Sequence, residues 1–289
     1  MCPIEDALES PLEVLLECLD LEALDADLYL GSPGPGEGRL FGGMVAAQSV
    51  IAAGRTVGAG RALHSLHAYF LRPGRHDAPI RFVVDRIRDG RTFTTRRVKA
   101  HQAGEAIFDL AASFAVPEEG IAHQDPMPEA PPPESLPDWE EVRAEMLRDP
   151  TLARTHSPVE VRMCDPLTPD ASPPRQRNWM RVRGTLPEDP LLHAAMLVYA
   201  TDRTLLSTAA RPHAIPWRER RGASLDHAVW LHAPIRLDGW LLYTSESPAA
   251  RSGRGLILGA IYTPDGRRLA SVAQEGLVRR ARERERGRS

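Results

Sequence analysis

A carboxylate on an apolar helix face is the first feature of the sequence with chemical promise. The stretch 190–206 opens on Pro190 after Glu188 and Asp189, a helix start in which the missing proline N–H costs nothing. Leu191, Ala195, Val198, Asp202 and Leu205 recur at steps of four, three, four and three, so they share one stripe. A charge in that stripe is driven toward its neutral form unless something bonds or uses it. The other reading ends the helix near Ala200 and lets Asp202 reach water beside Arg203. Several signatures are missing from the sequence: Gly-x-Ser-x-Gly, His-Glu-x-x-His, a P-loop and a dinucleotide Gly-x-Gly-x-x-Gly. These absences argue against a covalent serine hydrolase and a zinc hydrolase. Among ten histidines, His64 and His67 differ by three and His227 and His232 by five, which on a strand puts each pair on opposite faces. No metal site is expected.

The elements that must carry Asp202 can be read in order. Residues 11–24 are rich in Leu and Glu and predict a short helix with Leu12, Leu15, Leu16 and Leu19 on one side. A strand at 27–30 is followed by a loop, because 31–38 holds four Gly and two Pro. Residues 44–57 predict a mostly buried helix, and the glycines Gly42 and Gly43 ahead of it permit close approach of another backbone. Strand-like runs follow at 63–71, 80–87, 92–100 and 106–116, with Asp89-Gly90 and Ala103-Gly104 as hairpin turns. Residues 117–138 are rich in Pro and Glu and read as a linker, with a short helix at 139–148 beyond it. Strands resume at 159–163 and 179–184, then come the helix carrying Asp202 and strands at 225–232, 240–245, 256–262 and 268–278.

The second series repeats the first, a helix with an antiparallel meander, which is an α+β unit. His67-Ala68 and Phe70-Leu71 line up with His227-Ala228 and Trp230-Leu231 at an offset of 160, and Gly104 with Gly266 at 162. We therefore read two copies of one fold: an N-terminal unit over 1–116, a Pro-rich linker over 117–156, a C-terminal unit over 157–280 and a charged tail over 281–289. Charge is nearly balanced, 36 basic against 39 acidic residues, so neither nucleic acid nor an anionic membrane is an expected partner. Three scattered cysteines imply a reducing compartment. With an acidic start, no apolar run near the roughly 18 residues of a membrane span and no Ser-Lys-Leu ending, the expected location is the cytoplasm.

The motifs Phe41-Gly42-Gly43, His64-Ser65-Leu66-His67-Ala68-Tyr69-Phe70-Leu71-Arg72-Pro73-Gly74, Arg88-Asp89-Gly90-Arg91-Thr92-Phe93, Tyr199-Ala200-Thr201-Asp202, Leu225-Asp226-His227-Ala228-Val229-Trp230-Leu231-His232 and Gln274-Glu275-Gly276 resemble acyl-CoA thioesterase II over about residues 10–280. The resemblance implies a tandem hotdog, two long helices each wrapped by an antiparallel sheet. It also implies hydrolysis of acyl-CoA thioesters, with coenzyme A as part of the substrate and no added cofactor, and a homo-oligomer is expected. The family's catalytic Asp, Thr or Ser, and Gln fall on Asp202, Ser224 and Gln274. That trio suits the chemistry. A carboxylate can take a proton from water, a hydroxyl and an amide can fix the water's direction, and a thiol of pKa about 8.5 leaves without a strong general acid. Gln274 alternates with Ala270, Val272 and Val278 on one strand face, which turns its amide inward. The oxyanion site is expected at the start of a long helix, which of the two being unspecified.

Two other readings remain open at this stage. Glu188-Asp189-Pro190-Leu191-Leu192-His193 resembles the Asp-x-Asn-Pro-Leu-His signature of hotdog enoyl hydratases but lacks the Asn, and a helix cap beside a surface His explains it as well. A non-catalytic acyl-CoA sensor would need no water-activating trio. Counting back 162 from Gln274 gives Ala112 and 160 from Ser224 gives His64, and 43–57 contains no carboxylate, so one catalytic centre per chain is expected.

Overall fold

Helix α1 (Pro11–Leu19) begins with a reciprocal cap: Ser10 accepts from the Glu13 amide and the Glu13 carboxylate accepts from that of Ser10. The computed structural model describes residues 10–149, 157–166, 168, 170–216 and 219–281. α1 is shorter than the 11–24 expected, because Glu22–Asp25 turns into strand β1 and pairs with β2 (Leu28–Gly31). All four residues of β1 are exposed, so no alternation marks it in the sequence.

The long helix α2 (Gly42–Arg55) precedes β3 (Ala62–Phe70), β4 (Ile80–Asp89), β5 (Phe93–Gln102) and β6 (Glu105–Ala115). The hairpins at 89–90 and 103–104 join antiparallel neighbours as expected. Beyond β6 the Pro-rich stretch lies along the second half, where Gln124 bonds Gly266 and the Pro131 carbonyl accepts from the Trp179 indole. Helix α3 (Trp139–Leu147) leads to β7 (Val159–Met163) and β8 (Arg175–Val182). Helix α4 (Pro190–Thr201) is buried at every position from His193 to Thr201, as befits a helix apolar on all sides. It stops at Thr201, and a separate helix α5 (Leu205–Ala210) follows, so the single helix expected over 190–206 is two. Strands β9 (Arg220–Ser224), β10 (Asp226–Leu231), β11 (Leu241–Arg251), β12 (Arg254–Tyr262) and β13 (Arg268–Arg280) complete the described chain.

One sheet runs β1-β2-β4-β5-β6-β3-β10-β13-β12-β11-β8-β7, with β9 on β13. Read from either end, the order is the same once each strand is replaced by its counterpart, and α2 and α4 pack against each other within it. This is the tandem hotdog, and the junction β3-β10 fixes its symmetry. His67 faces Ala228, flanked by Leu66 with Val229 and Ala68 with His227, so the offset between halves here is 228 − 67 = 161. The identities at 160 are therefore one residue out of register, which on a strand means opposite faces. His67 is exposed, whereas His227 is buried. At the last strands His67 faces Ala111 and Ala228 faces Ala273, an offset of 273 − 111 = 162, so Ala112 is the counterpart of Gln274. The counterpart of His227 is Leu66, and that of Ser224 moves from His64 to Leu63.

Candidate active site

Asp202 is the residue that ends α4. Its position matches the reading in which the helix stops early, yet it does not stand free at the surface beside Arg203: the residue is only 9% exposed. The chain turns at Asp202 toward α5 and directs the carboxylate beneath the first turn of α2. There a Cβ at Gly42 would meet Asp202 Oδ2 at 3.1 Å, and a Cβ at Gly43 would meet the Tyr199 carbonyl at 2.8 Å. Only glycines admit that approach, as their pairing ahead of the helix suggested.

The structure brings Asp202, Ser224 and Gln274 together. Ser224 Oγ donates to Asp202 Oδ1 at 2.9 Å, and Gln274 Nε2 donates to Ser224 Oγ at 2.8 Å. The Gln274 amide and the backbone N–H of Gly43 also pull the Asp202 pKa down. Burial nonetheless raises the Asp202 carboxyl above the usual range, against the lowering pull of His227 and these hydrogen bonds. Ser224 is placed by β9, whose register sets it opposite Gly276 on β13. The sequence Arg-Arg-Gly-Ala-Ser has no apolar alternation and concealed this strand. Gln274 points inward as expected and is fully buried, held by side chains rather than backbone.

His227 is the site residue that sequence reasoning missed. Its Nδ1–H donates to Gln274 Oε1 at 2.6 Å, and its Nε2 lies 3.0 Å from Thr201 Oγ1. Because a carbonyl oxygen only accepts, the ring must carry its proton on Nδ1, which fixes the amide with Nε2 toward Ser224. Burial lowers the His227 pKa against the influence of Asp202 and Gln274, so the ring is neutral and accepts from Thr201. Donation thus runs from His227 to Gln274 to Ser224 and ends on the carboxylate, with Thr201, whose hydroxyl also bonds the Val198 carbonyl at 3.1 Å, at its head. The alternation of His227 with Val229 on the apolar face of β10 was the available signal.

The carboxylate and hydroxyl open on a cavity of about 370 Å³. Its apolar wall is built by the first half, from Leu40, Phe41, Val45, Phe70, Ile107 and Phe108, while the second half supplies Asp202, Leu206 and Ser224. Gln274 is not among the lining residues and meets the cavity through Ser224.

The hydratase-like cluster does not converge. Asp189 caps α4, accepting from the Leu191 amide at 2.8 Å, while Glu188 pairs with Arg236. His193 is a correction: expected at the surface, it is 2% exposed, because the segment around Leu237 packs over it with the Leu237 amide 3.4 Å from Nδ1. In the first half, Arg96 stands opposite Ala112 where Ile257 stands opposite Gln274. The buried Arg96 guanidinium bonds Thr56 Oγ1 and the Thr56 carbonyl at the end of α2. Among the described residues no group of three or more His, Cys, Asp or Glu could hold a metal ion, and no helix is long and apolar enough to cross a membrane.

Comparison with known proteins bears on the fold and the family. Residues 32–115 match the family model for the acyl-CoA thioesterase N-terminal domain, and residues 151–277 match that for acyl-CoA thioesterase. Acyl-coenzyme A thioesterase 8 of Mus musculus is 40% identical over 279 residues, covering 90% of this chain and 87% of its own. The crystal structure of acyl-CoA thioesterase II TesB2 from Mycobacterium marinum superposes with a TM-score of 0.78 at 42% identity, covering 93% of this chain and 98% of that one. A hot dog fold protein from Alicyclobacillus acidocaldarius, 21% identical, shares the fold at a TM-score of 0.75 over 92% of this chain and 97% of its own. The chain belongs to the acyl-CoA thioesterase family and is a thioester hydrolase of the double-hotdog kind.

Proposed function

We propose that the chain hydrolyses fatty acyl-CoA to free fatty acid and coenzyme A, with Asp202 as general base and Ser224 and Gln274 ordering the attacking water. The observation that carries this reading is the one-way donor run ending on a buried carboxylate at the wall of an apolar cavity. Water bound between Asp202 and Ser224 attacks the thioester carbon and gives its proton to Asp202. The carbonyl oxygen gathers negative charge beside the Gly42 amide, in the first turn of α2, where helix N–H groups favour an anion. The C–S bond then breaks, and the proton held by Asp202 passes to the departing thiolate. Gln274 acts through Ser224, and His227 acts as a positioning residue for Gln274.

The reading also takes the chain as a cytoplasmic homo-oligomer that needs no added cofactor. Release of free thiol from decanoyl-CoA, set beside hydration of crotonyl-CoA, tests it. Thiol release without hydration is the expected result; hydration alone, or binding without either, overturns it.

Ser224 gives a sharper expectation. Ser224→Ala removes a hydrogen bond to a charged group, a loss of about 10- to 100-fold in kcat. The same bond holds the Asp202 pKa down, so the acid limb of the rate profile moves to higher pH in the Ala variant. Ser224→Thr keeps the hydroxyl and stays within about tenfold of the parent. Equal kcat and equal acid limbs in all three proteins would remove Ser224 from the mechanism.

A further inference from the structure

Three consecutive side chains in the turn between α4 and α5 are each caught by a different element. Asp202 accepts from Ser224 of β9, Arg203 Nη2 donates to Glu140 Oε1 of α3 at 2.9 Å, and Thr204 Oγ1 accepts from the Asn178 amide of β8 at 3.3 Å. The backbone of the turn is held less firmly: the Arg203 N–H reaches the Ala200 carbonyl at 3.3 Å, and α5 begins after Thr204 without a side-chain cap. Side chains therefore set its course. Asp202 also ends α4, where helix carbonyls oppose a carboxylate, so its aim at Ser224 needs support from outside the helix.

Glu140 supplies that support from the segment between the two halves. It is 3% exposed and lies in the first turn of α3, where helix amides favour a carboxylate. Arg143 Nη2 lies 3.0 Å from its other oxygen. The helix is itself fastened, because the Asp138 carboxylate accepts from the Glu140 amide at 2.9 Å and pairs with Arg183 just beyond β8. At the other end of the ion pair, Tyr199 stands one helical turn before Arg203 and packs edge-on against Phe41 at 5.0 Å. Its carbonyl is the atom that a Cβ at Gly43 would meet. Arg203 thus follows directly on a helix end that touches the wall and the base of the catalytic cavity.

A buried ion pair adds little net stability, since desolvation offsets the attraction, but any geometry that leaves one partner bare is strongly penalised. That asymmetry suits it to fixing a turn. We propose that Glu140 is a positioning residue for the hydrolysis: through Arg203 it fixes the turn that aims the Asp202 carboxylate at Ser224. The assignment rests on the reading of Asp202 as the base, and it gives the Pro-rich connection between the halves a part in the reaction.

Glu140→Gln keeps the shape of the side chain and removes its charge. With decanoyl-CoA its kcat is expected to fall about 10- to 100-fold, the scale of a reacting group displaced by up to about 1 Å, while KM stays within about threefold of the parent. In a Ser224→Ala background the same substitution is expected to cost at least about threefold less than it does in the parent, because groups that act through one carboxylate are not additive. Glu160→Gln is the control for a lost buried charge. Glu160 is 4% exposed and pairs with Arg162 at 2.7 Å and Arg181 at 2.9 Å on β7 and β8, so its variant should lose Tm while keeping kcat near the parent value. Should Glu140→Gln fail to fold, Arg203→Lys, which keeps the cation and loses the planar fork, is read by the same measures. An unchanged kcat, a loss fully additive with Ser224→Ala, or an equal loss in Glu160→Gln overturns the proposal. Near-parental turnover in Asp202→Asn overturns the base assignment itself, a result distinct from an unaffected Glu140→Gln.

Discussion

Asp202→Asn is expected to lower kcat for acyl-CoA hydrolysis by about 10²- to 10⁴-fold, the usual scale for a lost general base. The substitution keeps side-chain volume and an acceptor for Ser224, so circular dichroism and cooperative unfolding are expected to match the parent. The stability of the two proteins should also diverge with pH in a fixed direction. Burial raises the folded-state pKa of Asp202 above its unfolded value, so the fold favours the protonated carboxyl. That contribution is complete below the ordinary Asp value of about 3.9 and is lost as pH rises through the raised value. Across this window the parent should lose stability relative to Asp202→Asn, measured as the difference in Tm. A variant with near-parental turnover would sink Asp202 as the base, and a stability gap that stays flat with pH would contradict its burial as an ionised group.

The second expectation is that removing the centre in the second half leaves nothing behind. Asp202→Asn combined with Gln274→Ala should abolish thiol release from short, medium and long acyl-CoAs while thermal unfolding stays cooperative. The reason lies in the first half, where the buried counterparts of His227 and Gln274 are Leu66 and Ala112, facing each other across β3 and β6. No carboxylate lies within α2, and Thr56 at its end is engaged by Arg96. Turnover of any chain length above about a tenth of the parent rate would reveal a second centre, since one lost base already costs about 10²-fold.

Hairpin turns and alternating strands made the sheet legible, because Asp89-Gly90, Ala103-Gly104 and period-two burial are local signals. Asp202 was read from a helical stripe that the structure breaks after Thr201, and it is buried although it caps the helix rather than lying within it. What escaped were features set by partners distant in sequence. β1 and β9 present no apolar face and exist because β2 and β13 offer edges. His227 acquires its role only from Gln274, 47 positions away. The offset of 160 misled because two His-Ala pairs coincide in letters, whereas the ladder at His67 and Ala228 sets the true equivalence one residue further on.

The split lining of the cavity has a consequence for how such a chain diversifies. The residues proposed to set rate, Asp202 and Ser224, come from one half, while the apolar wall at Phe41, Val45, Phe70 and Phe108 comes from the other. A change in the wall alters which acyl groups fit without disturbing the run from Thr201 to Asp202. On that assignment, duplication separates selectivity from reactivity along the sequence, and substrate range is expected to drift by substitutions confined to residues 40–108 while the chemistry stays under constraint elsewhere.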